Sequence, residues 1–471
     1  MRGLLSLVAL LFLSSLPAMA EDRALLHKLD KTLDAIIQSR YENTAGLTLA
    51  EHSRLLYGVY TTLSGLAADG ETGSTRVLRQ VDSKVWAQAQ SEGHMLYGRL
   101  RFRYRDFNTG DSFTPGGDEL VAPIGDRYWY RFDWQTDRKT EHGEDPGWNW
   151  WVQVGRQSVN LGDGLVLSET LYAARGGVDW KLWHFEGLFG LTPRTGTIDF
   201  DGSRPDYATD TSRQFWAILV EYRGLAAHRP FLYFLDQQDE NDDVLPGGAR
   251  FGYDSSYVAF GSTGQIVSQW LYRVEFVKEF GRSTSDILGA LPQTIDDIDA
   301  WAALIRVIHA PHRYRTTLRL RVEFEVLLAS GDEDRTHSAQ TVGGNLRGTD
   351  DEGFNSFGYS RTGLALSPDL SNLLSVRVGA SAAPFPGHRW FGNLRLFLDA
   401  YFLNKMDRNA PLSVTSVTGE GNIGFEVDLG VQWQILSDLA IDLQYGIFLP
   451  GNAVPYDDAR HFLYVGVSYA F

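Results

Sequence analysis

From about residue 53 to the last residue, Phe471, apolar and polar side chains alternate along the chain. A period of two is the signature of β-strands, in which successive side chains point to opposite faces. The segment 99–105 shows it most clearly: four arginines point to one side, and Leu100, Phe102 and Tyr104 point to the other. A chain built in this way folds into sheets, each with one apolar and one polar face.

Soluble sandwiches also alternate, so further features must decide the class of sheet. The alternating runs are about 10 to 14 residues long, whereas strands of soluble proteins are mostly about 5 or 6. Tyr, Trp and Phe gather near the strand ends of the apolar face, as at membrane interfaces, and the chain closes on an aromatic residue. We therefore predict an all-β fold, a transmembrane antiparallel β-barrel with a short N-terminal helical segment.

The alternation predicts about 18 strands, and bacterial barrels of one chain have even numbers. The expected strands are 54–67, 75–90, 94–107, 125–136, 147–157, 170–182, 183–193, 211–223, 227–238, 251–262, 264–280, 297–309, 313–330, 371–384, 389–404, 422–435, 438–449 and 458–471. Short periplasmic turns are expected at 91–93, 262–264 and 437–438, and long extracellular loops at 108–124, 194–210, 239–250, 281–296, 331–370 and 405–421. A barrel of this size encloses an aqueous lumen.

The residues before the barrel divide into two parts. Residues 1–20 have a positive start, a short apolar stretch and the small-x-small site Ala18–Ala20, which together predict an export signal. In residues 21–50, Leu25, Leu29, Leu33 and Ile36 recur at helical spacing, which predicts an amphipathic helix. We expect this helix to be either a periplasmic appendage or an element that enters or covers the periplasmic mouth. Residues 51–471 form the barrel.

Composition and motifs exclude several functions. The chain has no Cys, which rules out disulfides, cysteine zinc sites and thiol nucleophiles. Its net charge of -16 argues against binding to nucleic acid. No motif of a hydrolase, metalloprotease or nucleotide-binding enzyme fits its context, so we expect no enzyme, cofactor or metal. The acidic stretch 236–243 is expected to be a solvated loop, with calcium binding as the alternative.

Arginine is the unusual residue of the inward face. By alternation this face carries Arg99, Arg101, Arg103, Arg105, Arg127, Arg131, Arg315, Arg319, Arg321, Arg377 and Arg395. One interpretation is that lumen acids such as Glu323, Asp399 and Asp428 simply neutralise them. Four arginines on one strand repel each other unless acids face them, and rings of Arg favour anions in a pore. The arrangement therefore predicts an anion-selective pore inside an acidic protein.

The sequence resembles the alginate export family of outer-membrane channels over about residues 95–471. The resemblance depends on the order of these segments: Val154–Gln157, Gln340–Arg347, Phe357–Arg361, Leu366–Leu373, Phe425–Leu429, Gly446–Ala453 and Tyr469–Phe471. It implies an 18-stranded barrel that passes an anionic polysaccharide through an arginine-lined constriction. By motif match it adds Arg156, Arg347 and Arg361 as pore residues. The family's long periplasmic plug turn corresponds here only to about 436–438, and the N-terminal helix is an addition.

Three functions remain open at this point. The first is a bacterial outer-membrane channel for an acidic polysaccharide or oligosaccharide such as an alginate-like polyuronate. The second is a general or small-anion porin, and the third is a hydrolase embedded in a barrel. The expected partners are the acidic saccharide, outer-membrane lipid and periplasmic export components.

We expect the mature chain to begin at Glu21, because cleavage follows the small residue Ala20. Mass spectrometry of protein isolated from the outer membrane checks the N-terminus. Recovery of chains that still carry Met1, or of soluble periplasmic protein, would contradict this prediction.

Overall fold

A computed structural model gives the structure of residues 26–32, 34–35, 46–50, 52–71, 73–112, 117–241, 244, 250–285, 292–311, 317–335 and 344–471, with residues 46–50 described by their backbone. The predicted export signal and Arg315 lie outside the described residues. No helix of the described part is long and apolar enough to cross a membrane.

Strands account for most of the described chain. The first ten are β1 (Gly46–Ala50), β2 (Ser53–Asp69), β3 (Thr75–Ser91), β4 (His94–Phe107), β5 (Glu119–Asp133), β6 (Trp148–Asn160), β7 (Ser168–Trp180), β8 (Trp183–Leu191), β9 (Arg213–Tyr222) and β10 (His228–Asp239). The others are β11 (Tyr253–Val267), β12 (Trp270–Thr284), β13 (Ile295–His309), β14 (Arg321–Ala329), β15 (Leu373–Ala382), β16 (Leu394–Lys405), β17 (Asn422–Gln434), β18 (Leu439–Pro450) and β19 (Arg460–Ala470). Two helices accompany them: α1 (residues 26–32 and 34–35) and α2 (Trp134–His142).

Eighteen of these strands, β2 to β19, form a closed antiparallel barrel. Each pairs with the next along the chain, and β19 pairs with β2 from Phe462↔Ala68 to Ala470↔Tyr60. Backbone hydrogen bonds of 2.8 and 2.9 Å between Val59 and Phe471 extend the seam. Because a hydrocarbon slab offers no partner for a free sheet edge, this closure is what a membrane requires. The predicted fold class and strand number are confirmed.

The side chains alternate about the barrel wall as the sequence predicts. On β4, Leu100, Phe102 and Tyr104 are 48%, 40% and 42% exposed on the outer surface. Arg99 and Arg105, on the opposite face, are 2% and 8% exposed. The outer face is therefore apolar and the lumen carries the charges. The two ends of the barrel differ, with short turns at one end (the short-turn end) and long loops at the other (the long-loop end).

One predicted turn is wrong. Residues 262–264 are not a turn, since β11 continues to Val267 and β12 begins at Trp270. Gly264 is paired on both sides, with His228 and Tyr272. A Cβ at this glycine would lie 2.3 Å from the carbonyl oxygen of Ala227. The glycine therefore allows close approach of a neighbouring strand and does not mark a chain reversal.

Two predicted strands also differ from the structure at one end. The strand predicted over 313–330 is β14, which begins only at Arg321. Arg319 precedes it with φ of 47°, a left-handed conformation that a strand does not allow. The strand predicted over 125–136 is β5, which ends at Asp133. The side chain of Asp133 caps α2 by accepting a hydrogen bond from the backbone amide of Thr136. Arg319 is thus a turn residue, and Trp134 belongs to a helix.

We expect Leu398→Arg to destabilise the barrel by about 2–4 kcal/mol, since an arginine on the lipid face near the midplane loses its hydration. Leu398 is 43% exposed on the outer face, between Ala380 and Leu429. Urea titration of protein folded in lipid vesicles measures the change. Leu398→Met is the control and keeps the stability within about 1.5 kcal/mol. Equal midpoints for both variants would show that Leu398 does not face lipid.

Candidate functional site: the arginine-lined lumen

The described parts of the segment between β14 and β15, residues 330–335 and 344–372, fold into the barrel. Phe354, Phe357 and Leu366 are 0%, 5% and 3% exposed. The segment is held by Glu426 of β17, whose carboxylate accepts hydrogen bonds from the backbone amides of residues 364, 365 and 366 at 2.5, 2.6 and 3.1 Å. Three amides on one carboxylate form a strong anchor, because hydrogen bonds to a charged group are stronger than neutral ones.

A second inward segment, 161–167 between β6 and β7, meets the first. Leu167 and Phe357 form a parallel bridge, and the amide of Ser168 donates to the carbonyl of Phe357 at 2.9 Å. The amide of Tyr359 donates to the carbonyl of Gly164 at 2.8 Å. Strands β7 and β14 are seven positions apart in a ring of eighteen, so the two segments join nearly opposite walls. They narrow the lumen from the long-loop end.

Helix α1 lies inside the lumen, against these inward segments. Lys28 Nζ donates to the carbonyl oxygen of Ser367 and pairs with Asp369, both at 2.9 Å. The Thr32 hydroxyl lies 2.6 Å from the Tyr359 hydroxyl. Of the two positions that the sequence leaves open for this helix, a periplasmic appendage does not match these contacts. The helix fills part of the pore.

The other side of α1 faces the arginines of β4. Asp30 pairs with Arg101, Arg103 and Arg105 at 3.5, 2.6 and 3.1 Å. Asp34 lies 3.3 Å from Arg99 and pairs with Lys84 of β3. We call this group of five cations the β4 ladder; its members are Lys84, Arg99, Arg101, Arg103 and Arg105.

Wall acids complete the charge balance of the β4 ladder. Asp82 pairs with Arg101, Asp126 with Arg99, and Glu119 with Arg105. Five cations therefore meet five carboxylates, two of which belong to α1. Burial alone raises the pKa of Asp30, but the guanidinium groups of Arg101 and its neighbours together lower it below its usual range. Asp30 is thus ionised at neutral pH, and its ion pairs are lost only in strong acid.

A cavity of about 260 Å³ lies on the far side of α1 from the β4 ladder. Strands β14 to β19, α1 and the inward segment before β15 line it. The charged residues of this lining are Lys28, Arg321, Glu323, Arg361, Arg377, Arg395, Asp399 and Asp428. Four of the thirteen predicted pore residues, Arg321, Arg361, Arg377 and Arg395, therefore come together here.

These four arginines differ in how fully they are paired. Arg377 is 3% exposed and contacts Glu323, Glu325 and Asp399. Arg361 is 54% exposed in its side chain, and its nearest carboxylate, on Asp399, is 3.6 Å away. Arg395 is exposed and forms no ion pair with a described residue. The cations available to a ligand are therefore Arg361 and Arg395, with Arg321 shared with Glu323 at 2.7 Å.

The five remaining predicted pore residues do not line the cavity and form no ion pair with the described residues of α1. Arg127 is opposite Arg99 in the β4–β5 register. Arg131 stacks over Trp151 at 4.4 Å near the short-turn end. Arg156 is 6% exposed and donates to the carbonyl oxygen of Thr195 at 2.8 Å, so it holds a loop. Arg319 and Arg347 are exposed, one in a turn and one in the 330–372 segment.

The acidic stretch 236–243 is only partly a solvated loop. Asp239 is buried and pairs with Arg204 and Arg213, each at 3.1 Å. Asp242 and Asp243 lie outside the described residues. Over the described part of the chain, no group of three or more potential ligand side chains fits a metal ion.

Sequence reasoning missed three residues of the lumen. Lys28 and Lys84 were not identified as pore cations, and Glu426 was noted only as part of the family segment Phe425–Leu429, with no contact assigned to it. For Lys84 a signal existed, because it lies on a strand at the parity of Asp82. For Lys28 and Glu426 the partners are 339 and about 60 residues away in sequence, and no local pattern indicates such contacts.

Comparisons with known proteins agree with this architecture. Three solved outer-membrane proteins of Pseudomonas aeruginosa are similar in fold. OccK8 (OprE) has a TM-score of 0.53 at 11% identity, covering 90% of this chain and 99% of its own. OccK7 (OpdD) has a TM-score of 0.53 at 10% identity, and the match covers 90% of this chain and 99% of OccK7. OpdK, solved with vanillate, has a TM-score of 0.51 at 11% identity, and the match covers 88% of this chain and 98% of OpdK.

No curated protein matches the sequence. The sequence pattern of the family described as "Alginate export" matches residues 140–468, well over half of the chain. The closed barrel, its charged lumen and this match agree with each other and with a location in the outer membrane. The chain belongs to the alginate export family of outer-membrane channels.

Proposed function

We propose that this channel passes an anionic polysaccharide, a polyuronate of the alginate kind, through its arginine-lined lumen. The observation that carries the proposal is the cavity beside α1, where Arg361 and Arg395 are exposed to the lumen and incompletely paired. Cations at this position are available to carboxylates that pass along the wall.

The chemistry of arginine suits this role. A guanidinium group keeps its charge at every physiological pH and binds a carboxylate through two parallel hydrogen bonds. A pore lined with such groups lowers the energy of anions and raises that of cations. Because Arg377 is already saturated by acids, we assign it to the wall, where it holds Glu323 and Asp399 in place.

A second candidate is a channel for small carboxylates, and two observations favour it. Helix α1 and the inward segments leave a cavity of only about 260 Å³, which is the size of a small molecule. OpdK, which is similar in fold, was solved with vanillate, a small aromatic carboxylate. Family membership and a porin-like fold support transport by either route over catalysis.

We expect Arg361→Ala/Arg395→Ala to move the reversal potential of the pore toward cation selectivity. Neither change leaves a buried carboxylate alone, since Asp399 keeps its 2.6 Å contact with Arg377. The measurement is the zero-current potential across a planar bilayer in a KCl gradient. The matched control is Arg319→Ala/Arg347→Ala, which removes the same charge outside the cavity.

Salt screens charges beyond about 8–10 Å at physiological strength, so the control should change the potential much less. If both double variants shift the potential equally, the cavity arginines do not determine selectivity.

The two candidate substrates are separated by size. We expect uronate oligomers to block the wild-type current, and Arg361→Ala/Arg395→Ala to weaken the block by about tenfold or more, equal to at least 1.4 kcal/mol of lost binding. Neutral oligosaccharides of the same length serve as the comparison. If uronate monomers pass in liposome swelling while oligomers neither block nor pass, the small-carboxylate function replaces the polysaccharide function.

A further inference from the structure

We infer that α1 fills a polyanion site as an internal ligand: Asp30 and Asp34 occupy the β4 ladder in place of two carboxylates of a polyuronate, which must displace them to bind. The inference builds on the proposed function and concerns a different wall of the lumen from the cavity arginines. The ligand that the ladder accepts is a linear polymer with repeated carboxylates.

The two acids of α1 divide the ladder between them. Residues four apart on a helix are separated by about 6 Å along its axis and lie on one face. Asp30 meets the converging guanidinium groups of Arg101, Arg103 and Arg105. Asp34, one turn further along, meets Arg99 and Lys84. The ladder therefore holds two successive carboxylates of one chain, which is what a linear polymer with repeated carboxylates offers.

The charge balance shows which cations depend on α1. The wall supplies three carboxylates to the ladder: Asp82, Asp126 and Glu119. Without α1 the ladder would lose the carboxylates of Asp30 and Asp34. Arg103 depends on the helix most, because Asp30, at 2.6 Å, is its one ion-pair partner among the described residues. Its Nε is also buried without a hydrogen-bond partner, so the group has further binding capacity.

The contacts of α1 are largely polar, so an anion competes for them directly. Among the described residues of α1, Leu26 and Leu29 pack against the apolar cluster. Ion pairs or hydrogen bonds are formed by His27, Lys28, Asp30, Lys31, Thr32 and Asp34. These ion pairs are mostly buried, so simple salt screens them weakly, and an anion must displace α1 to reach the cations. The same helix lines the cavity through Lys28, Leu29 and Thr32. Its displacement would join the ladder and the cavity into one basic channel.

The test compares the binding of a uronate oligomer to the purified mature protein and to Asp30→Asn/Asp34→Asn. The asparagines keep the size of the side chains and remove the competing charge. We expect about a tenfold or larger gain in affinity, equal to at least 1.4 kcal/mol, measured by calorimetry at fixed salt. Adding Arg103→Gln should cancel most of the gain. Neutral oligosaccharides should bind neither protein.

Asp369→Asn is the matched control, because it weakens the hold on α1 through Lys28 without touching the ladder. An equal gain in this control would mean that a loosened helix, and not a vacated ladder, is responsible, and would overturn the inference. So would unchanged affinity in the double variant, or a gain that survives Arg103→Gln. Should the double variant fold poorly, deletion of residues 22–45 vacates the same ladder, and it should bind the oligomer and conduct more than wild type.

Failure of this inference is distinguishable from failure of the proposed function. If oligomers block the wild-type pore through Arg361 and Arg395 while the ladder variants gain nothing, the ladder inference is wrong and the function stands. If the double variant binds the oligomer through Arg103 but uronates of no length cross liposome membranes, the function is wrong and the ladder inference stands.

Discussion

The pairing of β19 with β2 is the constraint on which the rest of the structure depends. Without it, the strand edges at Val59 and Phe471 would expose backbone donors and acceptors to hydrocarbon, which offers them no partner. Closure also divides the side chains into two groups. Those facing the hydrocarbon must be apolar, and most charges of the strands point into the lumen; the outward pair of Lys278 and Asp299 is an exception. The alternation of apolar and polar residues from the first strand to the last is a consequence of this requirement.

Once charges are confined to the lumen, they must be balanced there. The cations of the β4 ladder would repel one another without acids, and the described part of the barrel wall supplies Asp82, Asp126 and Glu119. Helix α1 supplies the remainder. Hydrogen bonds hold the inward loop, because the buried carboxyl group of Glu426 accepts from the three amides of residues 364–366. Elements that are distant in sequence are therefore held in the lumen by charge compensation and hydrogen bonds, together with the apolar contacts of Phe354 and Phe357.

The strands of the barrel and the contacts inside the lumen differ in how far the sequence predicts them. Strands are local, since their period of two is set by neighbours in the chain, and all eighteen of the barrel were predicted near their observed positions. Errors occurred where one residue broke the pattern, as at Gly264, which lies within a strand, and Arg319, whose φ of 47° ends one. The inward face of the β4 arginines was likewise predictable. Their partner Asp30 was not, because nothing near residue 30 indicates a contact with Arg103, 73 residues away. The resemblance to family motifs at Leu366–Leu373 and Phe425–Leu429 located the segments that meet at Glu426, but not their contact.

The selectivity of such a lumen follows from pairing, not from the number of its arginines. Arg377, with three carboxylates around it, presents almost no net charge to a passing ion, although it lines the cavity. Arg361 and Arg395 are less neutralised and more exposed, so they act more strongly on an anion. The chain as a whole is acidic, with a charge of -16, but acids such as Asp239, which is paired with Arg204, do not line the cavity. An acidic protein can thus enclose a basic path, and the width of that path depends on whether α1 occupies the ladder.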